Sequence, residues 1–306
     1  MSHAANPAAG DGRSILSGSA RLSDGRTLAY AEYGDPAGFP LIALHGTPGS
    51  RVSMRLWDGA AAARQLRVIA PDRPGYGLSS PASQAGFGRF AADVGELADT
   101  LGAQRFAVLG TSGGGPYALA CASRHADRVS VAAVVSGIGQ LRERGGKDGW
   151  ARANRIMFAL GRASPTLAGT AISRLLRSSL PRLDAQARAG TSPTPDLTPD
   201  VLALVVEDQR EAIRSGGGGI AYDMRSLWQP WQFDLDGIRC PVCIWHGLAD
   251  DLAPVALAQR LAARIPGCEA MFYPAEGHTG PLTRHADQIL QRVAASAQPR
   301  PPADPA

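Results

Sequence analysis

Short apolar runs that alternate with helix-like stretches limit most strongly how this chain can fold. Residues 40–44, 67–70, 105–109 and 129–135 are apolar almost throughout, instead of alternating with polar residues. Such runs are typical of strands that are covered on both faces. Apolar residues at helical spacing lie between them, for example in residues 90–101. The pattern therefore predicts an α/β fold, with a mostly parallel sheet and helices on both faces.

The alternation stops after residue 136 and resumes with the apolar run at residues 241–245. Between these points the sequence predicts only helices, at residues 149–161, 167–176 and 199–215. Breaks are expected at the Pro- and Thr-rich stretch 191–196 and at the four glycines 216–219. This part of the chain is predicted to be an all-helical insertion.

These patterns divide the chain into an α/β core and three other segments. The core is predicted to comprise residues 15–136 and 234–297, and the helical insertion residues 137–233. Residues 1–14 are small and polar, and residues 298–306 are rich in proline, so both ends are predicted to be disordered.

Charge and composition exclude several classes of partner. The formal net charge is +4, but the basic residues are scattered arginines with a single lysine, Lys147, and form no cluster typical of nucleic-acid binding. No apolar stretch is long enough to span a membrane, and the N-terminus lacks the apolar region of a signal peptide. We therefore expect a cytoplasmic protein that acts on a small molecule, with no nucleic-acid or membrane partner. Its oligomeric state is left open.

The four cysteines are predicted to be buried or nearly buried thiols in a reducing compartment. Cys240 and Cys243 form a CxxC pattern, but strand alternation puts them on opposite faces, which is poor geometry for a shared metal. The other two, Cys121 and Cys268, stand alone in the sequence. No metal site is predicted.

The sequence Gly110-Thr111-Ser112-Gly113-Gly114 joins an apolar run to a helix-like run. A G-x-S-x-G motif between a strand and a helix forms a sharp turn from which the serine hydroxyl projects. Small residues two positions before and after the serine keep the strand and helix from colliding. Ser112 is therefore the candidate nucleophile.

Ser112 needs a base, because a free hydroxyl is hardly ionised at neutral pH. His278 lies in the loop between the last strand and the last helix, which opens at the same edge of a parallel sheet as Ser112. Asp250 and Asp251 follow the preceding strand, and one of them can orient the imidazole. Asp250 is favoured, with Asp251 as the alternative.

A developing oxyanion needs two donors near Ser112. The backbone N–H of Gly113 is the first candidate. The second is expected from the loop after residues 40–44, where Pro48 has no N–H and Thr47 is therefore the best candidate.

Several stretches together resemble serine hydrolases of the α/β-hydrolase fold. They are His45-Gly46-Thr47-Pro48-Gly49, Asp72-Arg73-Pro74-Gly75-Tyr76-Gly77-Leu78-Ser79, Gly110 to Gly114, Gly247 to Asp250, and Gly277-His278. The resemblance implies an eight-stranded type of sheet, a Ser112–His278–Asp250 catalytic triad, and a helical cap over the active site formed by the insertion. Thr47 replaces the second glycine of the His-Gly-Gly-Pro pattern of proline iminopeptidases, which makes peptidase activity doubtful.

The predicted reaction is hydrolysis of a small, uncharged or apolar ester or lactone through an acyl-enzyme on Ser112. No metal or organic cofactor is required. Aromatic residues of the insertion are candidates for an apolar substrate pocket, although each could instead pack the insertion on the core. They are Trp150, Phe158, Tyr222, Trp228, Trp231 and Phe233.

Other activities remain open for this sequence. The same triad could cleave a carbon–carbon bond or an amide, or could carry out perhydrolysis. A non-enzymatic ligand-binding protein on this fold is a further alternative. Enzymes of this fold with an aspartate nucleophile, epoxide hydrolases and dehalogenases, are disfavoured because position 112 is serine.

Overall fold

A computed structural model describes residues 16–142, 149–194 and 197–296. Eight strands form one sheet in the order β1-β2-β4-β3-β5-β6-β7-β8. They are β1 (Leu16–Arg21), β2 (Thr27–Gly34), β3 (Phe39–Leu44), β4 (Leu66–Pro71), β5 (Phe106–Thr111), β6 (Val129–Val135), β7 (Val242–Gly247) and β8 (Glu269–Tyr273). β2 is antiparallel to β1 and β4, whereas all strand pairs between β4 and β8 in this order are parallel. The predicted fold class is confirmed.

Ten α-helices accompany the sheet in the described part of the chain. They are α1 (Asp58–Ala62), α2 (Phe87–Thr100), α3 (Gly115–Arg124), α4 (Arg152–Ala163), α5 (Pro165–Arg188), α6 (Pro199–Ala212), α7 (Gly218–Trp228), α8 (Val255–Arg264), α9 (Gly280–Arg284) and α10 (Ala286–Ala295). None of the helices within the described ranges combines the length and apolar character needed to cross a membrane.

The hydrophobic core lies in two layers, one on each face of the sheet. In β5, Phe106 and Val108 pack into one layer, whereas Ala107 and Leu109 pack into the other. Successive side chains of a strand point to opposite faces, so a strand covered on both sides must be apolar at every position. This explains the continuous apolar runs of the sequence.

Helices α4 to α7 lie between β6 and β7 and form the helical insertion. Ser164 caps α5 by accepting a hydrogen bond from Leu167 N, and Thr198 caps α6 by accepting one from Val201 N. The limits predicted for the insertion and core remain a prediction. Both predicted disordered ends, residues 1–14 and 298–306, lie outside the described residues.

One helix of the insertion is longer than predicted. The helix expected at residues 167–176 extends over the 24 residues of α5, because Pro181 is accommodated inside it. The break expected at glycines 216–219 lies between α6 and α7, although Gly218 and Gly219 already belong to α7. A Cβ on Gly217 would lie 2.3 Å from Gly169 O, so these glycines allow α5 and α7 to pack with their backbones in contact.

Two helical stretches of the core are interrupted. Residues 51–62 begin as a 3-10 segment, Arg51–Trp57, and only then form the short helix α1. The last helical stretch, residues 280–295, is divided into α9 and α10 at His285. The His285 ring stacks on Tyr273 at 3.8 Å, a tertiary contact that the helical periodicity does not reveal.

Candidate active site

Ser112 occupies a sharp turn between β5 and α3. Its φ is +52°, a left-handed conformation that is strained for a residue with a side chain. A Cβ on Gly110 would lie 2.3 Å from Gly114 O, and a Cβ on Gly114 would lie 2.3 Å from Leu44 O. Larger residues at these two positions would collide with backbone, so the glycines allow the turn that the motif predicts.

Asp250 and His278 form a hydrogen bond of 2.7 Å, between Asp250 Oδ2 and His278 Nδ1. The other oxygen, Oδ1, accepts hydrogen bonds from the N–H groups of Leu252 and Ala253, at 2.9 and 2.8 Å. These bonds fix the carboxylate, whose side chain is fully buried. The neighbouring Asp251 is exposed, and its backbone carbonyl accepts a bond from the insertion.

A second histidine contacts the same carboxylate. His246 Nε2 lies 3.2 Å from Asp250 Oδ2 and 2.6 Å from the carbonyl of Ala253, and its ring is fully buried. Burial alone would raise the pKa of Asp250, but the hydrogen bonds from His246 and His278 outweigh it and hold that pKa below its usual range. Asp250 therefore remains ionised at neutral pH.

The loops that carry Asp250 and His278 are hydrogen-bonded to each other. Ala249 N donates to Glu276 O at 2.9 Å, and a Cβ on Gly247 would lie 2.2 Å from the same carbonyl. The His278 carbonyl accepts a 2.8 Å bond from the hydroxyl of Ser136, the residue after β6. The position of His278 is therefore fixed from two directions.

Ser112 and His278 lie at the same edge of the sheet, because both follow the carboxyl ends of parallel strands. The hydrogen bonds of the described residues do not include one between Ser112 Oγ and His278 Nε2. In the absence of substrate, the distance between a nucleophile and its base is often longer than a hydrogen bond.

Thr47 and Gly113, the predicted oxyanion donors, lie side by side. A Cβ on Gly113 would lie 2.2 Å from Thr47 Oγ1 and 3.4 Å from Thr47 N. Only glycine at position 113 leaves room for the Thr47 side chain.

A buried charge network holds the loop that contains Thr47. Asp223 Oδ2 accepts bonds from Thr47 Oγ1 at 2.5 Å and Arg73 Nη2 at 2.7 Å. Arg73 in turn donates to the carbonyls of His45 and Gly46. Because these carbonyls bind Arg73, the Thr47 loop has a fixed backbone.

Two tyrosines complete the hydrogen bonding of Asp223. The hydroxyls of Tyr76 and Tyr117 donate to its carboxylate, each at 2.8 Å. Burial and the nearby charge of Asp223 raise both tyrosine pKa values well above their ordinary value, so both remain protonated donors. Asp223 thus receives hydrogen bonds from three parts of the core.

Asp223 and Arg73 were not recognised as site residues from the sequence. Asp223 lies within residues 219–224, where every side chain is buried, and a buried charge needs a partner. A single carboxylate within an otherwise uncharged stretch is the sequence feature that could have revealed this network. The sequence does not indicate which cation pairs with it.

The aromatic residues proposed for the substrate pocket are mostly packed in the core. Trp150 and Phe158 have ring centroids 4.1 Å apart, and Trp231 stacks on Phe233. Tyr222 is 2 % exposed, and Trp228 Nε1 donates to Phe158 O at 3.0 Å. Their role in substrate binding remains a prediction.

The remaining histidines have structural contacts. His45 is fully buried, and its Nε2 accepts a hydrogen bond from Arg73 N. His125 is half-buried, with Nε2 2.7 Å from Ala91 O. Within the described ranges, no group of three or more His, Cys, Asp or Glu side chains is arranged to hold a metal ion.

A family model described as the alpha/beta hydrolase fold matches residues 40–284. A non-heme chloroperoxidase of Streptomyces lividans is 33% identical over 126 residues, 40% of this chain and 45% of that protein. Haloalkane dehalogenase 2 of Mycobacterium tuberculosis is 37% identical over 105 residues, 33% of this chain and 35% of that protein. The chain thus spans less than half the length of these two relatives.

The fold is also found in solved structures. A bromoperoxidase from Bacillus anthracis superimposes with a TM-score of 0.69 at 19% identity, covering 92% of this chain and 99% of that one. At this identity the likeness concerns the fold alone.

Proposed function

This chain belongs to the α/β-hydrolase fold family, and we propose that it is a serine hydrolase that cleaves a small ester or lactone. The observation that carries the proposal is the 2.7 Å bond between Asp250 and His278, on loops at the sheet edge where Ser112 occupies a strained turn. A serine, a buried carboxylate and an imidazole, in this order along the chain, suit acyl transfer.

In the proposed reaction, His278 Nε2 takes the proton of Ser112 as Oγ attacks the carbonyl carbon. Asp250 holds the Nδ1–H tautomer and stabilises the imidazolium that forms. The N–H groups of Gly113 and Thr47 bind the oxyanion of the tetrahedral intermediate. His278 then protonates the leaving alcohol, and water, activated by the same imidazole, hydrolyses the acyl-enzyme.

Covalent labelling tests the nucleophile. A fluorophosphonate probe is expected to label the wild type and to leave Ser112→Ala unlabelled, with a known serine esterase labelled in parallel. Hydrolysis of p-nitrophenyl acetate is expected to be lost in the same variant. Failure of the wild type to react with the probe would refute the proposal.

The neighbouring residues Asp250 and Asp251 provide a matched pair for testing which aspartate orients His278. Asp250→Asn is expected to lower kcat by about 10⁴-fold, because the amide favours the wrong imidazole tautomer. Asp251→Asn should have little effect, since that side chain is exposed. If Asp251→Asn is the damaging change, the assignment of Asp250 is wrong.

A further inference from the structure

A cavity of about 120 Å³ lies between the Arg51–Trp57 segment, α6 and α9. Its wall is almost entirely apolar and includes Met54, Trp57, Val201, Leu204 and Leu282. An engineered cavity of about 150 Å³ holds a benzene ring, so this one has room for about six carbon atoms. Its size and lining suit one small apolar group.

The cavity reaches the chain neighbours of both proposed reacting groups. Thr111, which precedes Ser112, and Thr279, which follows His278, both line it. A substrate carbonyl bound at Ser112 can therefore extend its acyl group into this space. The aromatic residues predicted to form the pocket do not line this cavity.

Asp208 is the only ionisable residue among the described residues that line the cavity. Its side chain has no cationic partner among the described residues, although it is buried on α6. Oδ1 accepts bonds from the N–H and the hydroxyl of Ser50, at 2.8 and 2.7 Å, and Oδ2 accepts one from Gln209 Nε2 at 3.2 Å. A carboxylate offers about four acceptor positions, so one on Oδ2 is left without a partner.

We propose that this cavity binds the acyl group of the substrate, and that Asp208 selects a short acyl group carrying a hydroxyl or ammonium donor. The proposal rests on the proposed serine hydrolase function, since it assumes a carbonyl at Ser112. An acceptor position of a buried carboxylate that is left unused is costly, and a donor on the ligand satisfies it. Burial raises the pKa of Asp208 to about 7, as expected for a carboxyl without a cation beside it.

Binding to Ser112→Ala tests the proposal without requiring catalysis. Isothermal titration calorimetry compares the binding of hexanoate with that of 6-hydroxyhexanoate and 6-aminohexanoate. Beyond the carboxyl group, the chains of these acids occupy about the volume of six atoms. At least one donor-bearing acid is expected to bind about tenfold more tightly than hexanoate. The tighter of the two identifies the donor as hydroxyl or ammonium. Equal or weaker binding of both would overturn the selection by Asp208.

The Asp208→Asn variant tests whether Asp208 causes the tighter binding of the donor-bearing acid. The two Ser50 donors require the amide oxygen of the asparagine to take the position of Oδ1. The NH₂ group then takes the position of Oδ2. Because this group is itself a donor, it cannot accept a hydrogen bond from the ligand. In Ser112→Ala/Asp208→Asn the tenfold preference is expected to disappear. Its persistence would refute the role of Asp208.

Filling the cavity tests its location. Leu204→Trp, in the Ser112→Ala background, is expected to weaken hexanoate binding at least tenfold, whereas Ala203→Trp on the exposed face of α6 should not. Unchanged binding to Leu204→Trp would place the acyl group elsewhere. Labelling of Ser112 by the fluorophosphonate probe reports on the nucleophile, whereas hexanoate binding reports on the cavity, so failure of either proposal gives a different result.

Discussion

Arg73 and Asp223 form an ion pair in which neither side chain is exposed to solvent, with 2.7 Å between Arg73 Nη2 and Asp223 Oδ2. Arg73 follows β4 in the core, whereas Asp223 lies on α7 of the helical insertion. The same carboxylate accepts a hydrogen bond from the hydroxyl of Thr47. The pair therefore joins the insertion to the loop proposed to bind the oxyanion.

The first prediction concerns this pair. Asp223→Asn is expected to lower the free energy of unfolding by about 3–5 kcal/mol, because Arg73 is left as a buried, uncompensated charge. It should also lower kcat more than it raises KM, since Thr47 loses its partner on the proposed oxyanion loop. Urea denaturation and steady-state kinetics on p-nitrophenyl acetate measure the two effects.

A surface pair provides the control for Asp223. Arg239 and Asp127 are 3.0 Å apart but highly exposed, and exposed pairs contribute little to stability. Asp127→Asn should leave the unfolding curve almost unchanged. If the two variants were equally stable, Asp223 would not be compensating Arg73.

The second prediction concerns Gly113. In Gly113→Ala the new methyl group would overlap Thr47 Oγ1, at 2.2 Å, so one of the two residues must move. We expect kcat/KM to fall by about 10²–10³, the loss typical of one oxyanion donor. Kinetics on p-nitrophenyl acetate and the melting temperature are measured together, to separate a local effect from unfolding.

Gly88→Ala is the matched control, because a Cβ at that helical position has no neighbour within 4 Å. Helix propensity favours alanine there, so stability should stay the same or rise. Wild-type kcat/KM in Gly113→Ala would mean that Thr47 and Gly113 do not form the oxyanion site.

The third prediction is a dependence of stability on pH through Asp208. Its pKa of about 7 exceeds that of an unfolded aspartate, 3.8, so the folded state binds the proton more tightly. This contribution to stability is therefore lost as pH rises through 7. Between pH 5 and pH 8 it should lower the free energy of unfolding by roughly 2–3 kcal/mol.

Asp208→Asn cannot ionise, so its unfolding free energy should fall less than that of the wild type over the same pH range. Urea denaturation at pH 5 and pH 8 gives both differences. Parallel pH profiles for the two proteins would contradict the raised pKa.

The sheet was predictable because burial on both faces leaves a direct record in the sequence. Every position of β5 and β6 is buried, and the runs at residues 105–109 and 129–135 are correspondingly apolar. The turn at Ser112 was predictable for a similar reason, since close backbone approach at Gly110 and Gly114 tolerates no side chain. Local requirements of this kind can be read from short stretches.

Contacts between distant segments could not be predicted in this way. Asp223 and Thr47 are 176 residues apart, and neither sequence neighbourhood specifies the other. The division of the last helix at His285 depends on Tyr273 in β8, and the cavity at Asp208 depends on three elements packing together. Such features arise from tertiary packing, which periodicity and motif spacing do not encode.

The separation of Thr47 from Asp223 along the chain has a consequence for folding. Closing a loop of this length costs chain entropy before its contacts can compensate for it. The strands of the N-terminal half can associate through nearer contacts, such as those of β3 with β4. The Thr47 loop, however, receives its full set of hydrogen bonds only once the chain has been synthesised and ordered through Asp223.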